Sequence, residues 1–273
     1  MPLTSPNTGK PLNLIRWNNA SALRWGVYLA GAVLLGLLWE WLAAQNITFR
    51  LLLSSPKHVV IYLTANGRMM SSATFTTLLE SLLGLASALT LCSILGVVFV
   101  LRPPVLKWLL PLLYLSQVVP IITIAPLAII LLGSGLSSKV VMVLLVCFFP
   151  LLISFITAIT LVPKQYVDLL LVYGTSRPKQ LRHLYLPLAL PHIMSGLRVT
   201  ATLSVIGAVV AEFSGAEAGL GKNLFLACKR LEPDLMLSSL ACTFGTSALL
   251  LGTIVLLERR IKWWKYEIKN AAS

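Results

Sequence analysis

Residues 140–161 form an apolar run without one charged side chain, and that run narrows the folds open to the whole chain. A bilayer core of about 30 Å asks for roughly 20 apolar residues per helical crossing, because backbone groups in lipid must find their hydrogen bonds within the structure itself. Only helices and closed barrels meet that condition. The run lacks the alternation of a barrel strand, which leaves the helix. Similar runs recur: 57% of the 273 residues are hydrophobic and 11% charged, with a mean hydropathy of +0.86. That composition excludes a soluble globular domain. The chain reads as an all-α polytopic membrane protein.

Six transmembrane helices are expected, at 26–44, 75–101, 109–132, 139–161, 193–213 and 236–257. An even number returns both termini to one side. The cytoplasmic side is set by its excess of Lys and Arg. The N-terminus, 102–108, 162–192 with the start of the next crossing, and the C-terminus hold 15 of the 22 basic residues, leaving 7 for the opposite side. Both termini and the 162–192 loop are therefore expected in the cytoplasm. The domain plan is a tail over 1–25, a six-helix domain over 26–257 and a basic tail over 258–273. Most of the net charge of +13 sits beside crossing ends, where the lipid bilayer and topology account for it and no nucleic-acid partner is needed. Cys92, Cys147, Cys228 and Cys242 show no ligand spacing, so neither a metal site nor a disulfide framework is expected. No cleavable leader is read at the N-terminus, and the first crossing is expected to stay as an anchor.

Polar and helix-breaking residues inside the apolar runs are the candidate site residues. Trp39, Glu40 and Trp41 fit an interfacial anchor. Ser54, Ser55 and Pro56 predict the capped start of a short interfacial helix. Pro120 and Pro126 predict a kinked or opened third crossing, a candidate wall of a translocation pathway. Glu80 and Glu212 fall within crossings, where an ionised carboxylate costs about 2.5–3.5 kcal/mol on insertion scales. They join the prolines as pathway candidates, with snorkelling or a structural hydrogen bond as the alternative. The stretch 215–222 fails the phosphate-binding pattern, since Ala216 stands where Gly is required and Asn223 where Ser or Thr is, so its glycines serve a tight turn. No catalytic cluster and no cofactor site are read.

Within 162–192, Asp168-Leu169-Leu170 is followed by Gly174 and, nine residues on, by Leu184-Tyr185-Leu186-Pro187. This resembles the cytoplasmic coupling loop of ABC importer permeases, E-A-A-x3-G-x9-I-x-L-P, with Asp for Glu, two Leu for two Ala and Leu for Ile. Two helical pieces, 164–173 and 178–185, are expected around a turn at Gly174. Pro187 and Pro191 are expected to punctuate the way into the fifth crossing. The segments 52–56 and 211–221 resemble the nitrate, sulfonate and taurine branch. The resemblance implies the type I importer permease fold and a non-catalytic subunit in a bacterial inner membrane. It implies two ATPase subunits, a second permease copy and an extracytoplasmic solute-binding protein as partners. It places Asp168, Leu169, Leu170, Gly174, Arg177, Arg182, Leu184, Leu186 and Pro187 in the ATPase-coupling loop, with the docking role on the residues around Asp168–Arg182. The cargo it implies is a small solute, sulfonate-, nitrate- or taurine-like, or a vitamin precursor such as a pyrimidine or riboflavin. A stand-alone secondary transporter or channel is the alternative, and it predicts inverted repeats and paired midplane charges that the chain does not display.

Overall fold

The computed structural model describes residues 27, 28, 30, 31, 33–42, 54–116 and 120–260. The expected tail over 1–25 lies outside them, as do Leu52, Leu53 and the basic tail beyond 260. The chain divides into two compact units, 1–58 and 59–273.

In the first unit, the helix α1 (Val33–Leu42) falls inside the crossing expected at 26–44. Helix α2 (Pro56–Ala65) begins in this unit, with Pro56 in its first turn, where a missing N–H costs nothing. Ser55 Oγ accepts the N–H of His58 at 3.4 Å, which is the predicted cap. Glu40 Oε2 accepts the N–H of Lys57 at 3.4 Å, so its carboxylate also sits at this helix N-terminus.

The second unit continues as α3 (Gly67–Leu101), α4 (Pro103–Ser116), α5 (Ile121–Leu132), α6 (Leu136–Thr160), α7 (Lys164–Val172), α8 (Arg177–Gln180), a π turn (Leu181–Tyr185), α9 (Leu186–Phe213), α10 (Leu220–Arg230) and α11 (Pro233–Arg260). Among the described residues four helices are long and apolar enough to cross a membrane: α3, α6, the continuous Arg177–Phe213 and α11. Helix α3 packs along α6, α6 along α9, and α9 along α11. Ala88, Cys92 and Phe99 meet Cys147, Leu151 and Phe155, and these meet Ala201, Val205 and Ala208, all buried. With no hydrophobic drive between helices in lipid, close approach at small residues supplies much of the contact. A β-carbon on Gly84 would lie 2.3 Å from Val143 Cβ, and one on Gly196 2.2 Å from Ser154 Oγ. Hydroxyls within these helices bond back one turn, as Ser81 does to Thr77 O at 2.7 Å and Thr200 to Gly196 O at 3.0 Å. A hydroxyl paired in this way does not meet lipid unsatisfied.

Two expectations are corrected. The stretch 109–132 opens at one of its two predicted breaks and not at the other: α4 is described to Ser116, and Pro120, extended at φ −62° and ψ 119°, caps the separate α5. Pro126, the other predicted break, lies inside α5 without ending it. The fifth crossing does not start near His192 after a punctuated connection. Its helix runs from Arg177 through both Pro187 and Pro191. The π turn explains this, because Pro187 needs the carbonyl four residues back turned from its ring, and wider winding over 181–185 does so.

Candidate functional site

The expected coupling loop folds into one short helix, a tight joint at Gly174 and the first turns of the continuous helix Arg177–Phe213. Helix α7 is nine residues long and buries none of them. Leu169 is 52% exposed, Val172 85% and Tyr173 77%, and Asp168 is exposed beside them. Gly174 takes φ +65°, with its N–H on Leu171 O and that of Thr175 on Leu170 O, both at 2.9 Å. That pair is a Schellman closure, which calls for a residue free to adopt the left-handed region. Ser176 caps α8, and Gln180, buried, donates its side-chain amide to Thr175 O at 2.9 Å. Arg177 Nη1 donates to Val100 O at 3.3 Å, tying α8 to the end of α3. Arg182 and Leu184 lie on the π turn, and Leu186 and Pro187 open α9. The structure thus gathers Asp168 to Arg177 into one exposed elbow and places Leu184 to Pro187 in the long helix behind it. An apolar face on a helix outside the crossings loses free energy to water until a partner covers it.

Where α9 ends and α6 begins, Glu80 and Glu212 come together, at 3% and 1% exposure. Glu212 Oε1 accepts the Thr77 hydroxyl at 2.7 Å and Oε2 accepts the N–H of Gly221 at 2.5 Å. Thr77 Oγ1 in turn accepts the N–H of Leu220 at 2.9 Å. Gly219 is the cap residue of α10 and has no side chain to offer. Glu212 and Thr77 therefore satisfy the first two donors of α10 from other helices. The fit depends on bare backbone: a β-carbon on Gly219 would lie 2.2 Å from Glu212 Cδ. Lys139, 4% exposed, donates to Ser134 O and stands within electrostatic reach of both carboxyls. Glu80 Oε2 is buried with no hydrogen-bond partner among the described residues. Pro120 and Pro126 are exposed on α5, which packs Ala125 and Ala128 beside Met142 and Ala211, so they do not join the carboxyl pair. Thr77 and Lys139 were not singled out by sequence. A lysine opening an apolar run was the one available signal, and Thr77 had none, since threonines are common in these helices.

The family described as "Binding-protein-dependent transport system inner membrane component" matches residues 88–263. A protein from Haemophilus influenzae named as a probable ABC transporter permease is 31% identical over 83% of this chain and 93% of its own length. A riboflavin transport system permease from Chloroflexus aurantiacus is 34% identical over 59% of this chain and 61% of its own. A formylaminopyrimidine transport permease from Halalkalibacterium halodurans is 32% identical over 69% and 76%. The chain belongs to the binding-protein-dependent transport family and is a membrane-embedded permease subunit of an ABC importer.

Proposed function

We propose that this permease carries a small nitrogen heterocycle of the vitamin-precursor kind across a bacterial inner membrane, handed over by a solute-binding protein and driven by two ATPase subunits beneath a pair of permease copies. The exposed elbow at 164–177 carries the coupling part of this reading. It presents apolar side chains, turns on a positive-φ glycine and is clamped to α3 by Arg177, so a push on it reaches the membrane helices. The cargo is suggested by the riboflavin and formylaminopyrimidine relatives; taurine and sulfonate permeases, at 30% and 26% identity, support a sulfonate as the second reading.

Six crossings with both termini in the cytoplasm remain the proposed topology, and chain parity supports it. The Arg177 contact holds the end of α3 and the start of α8 at one face. Ser134 Oγ donates to Glu217 Oε1 at 3.3 Å, which holds the start of α6 near the α9–α10 turn. These two contacts support a passage from one face to the other between 102 and 134. Helices α4 and α5 together make that passage, and α1 supplies the remaining crossing.

The test of the whole reading is uptake by membrane vesicles holding the permease, its ATPase and its binding protein. Labelled riboflavin or formylaminopyrimidine should accumulate only with ATP and all three components. Accumulation without ATP would sink the importer reading, and accumulation of taurine alone would select the second cargo.

A further inference from the structure

We infer that the permease holds one acyl chain of an anionic phospholipid in a cavity between the adjoining ends of α3 and α6, the π turn and the start of α9. The cavity measures about 290 Å³, and its walls include Gly96 and Val97 of α3, Phe155 of α6, Leu181 and Tyr185 of the π turn and Ala189 of α9. Apart from Tyr185, the only polar side chain facing it is Ser93, whose hydroxyl is spent on Leu89 O at 2.7 Å. Water needs two to four polar partners, and an apolar cavity of about 150 Å³ is already known to stay dry and take up benzene. The natural occupant is therefore hydrocarbon.

The opening lies on the exposed apolar surface of α3 and α9. Val97 and Leu186 on the cavity wall are 40% and 54% exposed, and Val97 continues a row of exposed side chains on α3 with Ile94 and Leu101 at helical spacing. The charge beside the opening chooses the headgroup. Segments 89–107, 155–160 and 177–194, which build the site, contain Arg102, Lys107, Arg177, Lys179 and Arg182 and not one Asp or Glu. Arg177 spends a donor on Val100 O, itself a residue of the wall, so its guanidinium lies at the rim. Cations at a crossing end beside an apolar slot suit a phosphate headgroup above a buried chain. A second permease copy is the poorer occupant, because a two-fold contact sets the same patch against itself and would face five cations with five more. The orientation proposed above decides only which leaflet supplies the lipid.

The permease purified with its ATPase subunits is titrated with palmitoyl-oleoyl phosphatidylglycerol or phosphatidylcholine and followed by native mass spectrometry. Wild-type protein should keep one phosphatidylglycerol per permease copy. Ser93→Leu with Val97→Trp, which fills the slot from the wall and the mouth, should lose it while the subunit composition stays the same. Arg102→Gln, an exposed change that leaves the fold alone, should weaken phosphatidylglycerol binding about five-fold and leave phosphatidylcholine unaffected. Equal retention by the filled variant, or no change with Arg102→Gln, overturns the inference. Loss of the second permease copy from the filled variant overturns it too, by making the cavity a protein contact.

Discussion

Glu212 shows how a buried carboxyl in a membrane helix can serve as a structural hydrogen-bond acceptor, the alternative to a place on the pathway. Both its oxygens are committed, one to Thr77 and one to the N–H of Gly221, so it fastens α10 to α3 and α9. Glu212→Gln replaces one acceptor with a donor facing a donor, at a cost of about 1–3 kcal/mol for a buried donor left unpaired. Amide exchange across 220–230 should then rise several-fold in the purified protein. Unchanged exchange would return Glu212 to the list of pathway residues. Gly219→Ala should be more damaging than its size suggests. Its φ of 113° and ψ of 170° lie in a region nearly restricted to glycine, worth about 1–3 kcal/mol, and the new methyl would overlap the Glu212 carboxyl. Thermal unfolding should shift down by several degrees in Gly219→Ala and very little in Gly245→Ala, where no atom stands near the added carbon.

At the scale of elements, the elbow can be tested apart from folding. No atom lies within 4 Å of a β-carbon built on Gly174, so Gly174→Val changes only the joint, at about 1–2 kcal/mol for left-handed backbone. Leu169→Asp removes an exposed apolar contact and touches no core residue. Both variants should insert and purify in normal amounts, yet co-purify with less ATPase subunit and lose solute-stimulated ATP hydrolysis. Normal hydrolysis in both would reduce 162–192 to a topogenic loop. The first short helix and the glycine that ends it were legible from spacing, because a Schellman closure is a local hydrogen-bond pattern. Continuity through Pro187 and Pro191 was not legible, since proline spacing forecasts a break and the π turn that absorbs the first ring leaves no compositional trace.

At the scale of the molecule, the proposed orientation predicts that residues 179 and 228 face opposite sides. Cys228 is exposed on α10, and Lys179 is exposed on α8. In a chain with Cys92, Cys147 and Cys242 replaced, an impermeant thiol reagent outside intact cells should label Cys228 but not a cysteine at 179. Labelling of both from outside would refute the topology. The sequence by itself determined that this is a helical membrane protein, where most of its long helices run and where its exposed elbow bends. Those features are local, because in lipid each crossing segment must satisfy its own backbone, so its length and polarity are written continuously along the chain. Only the tertiary structure decided that Thr77 meets Glu212 across 135 positions, that Lys139 joins them, and that the third crossing opens at Pro120 and not at Pro126. Such meetings depend on which helix faces pack together and in what register, and small residues such as Gly84 and Gly196 settle that register through contacts no single segment contains.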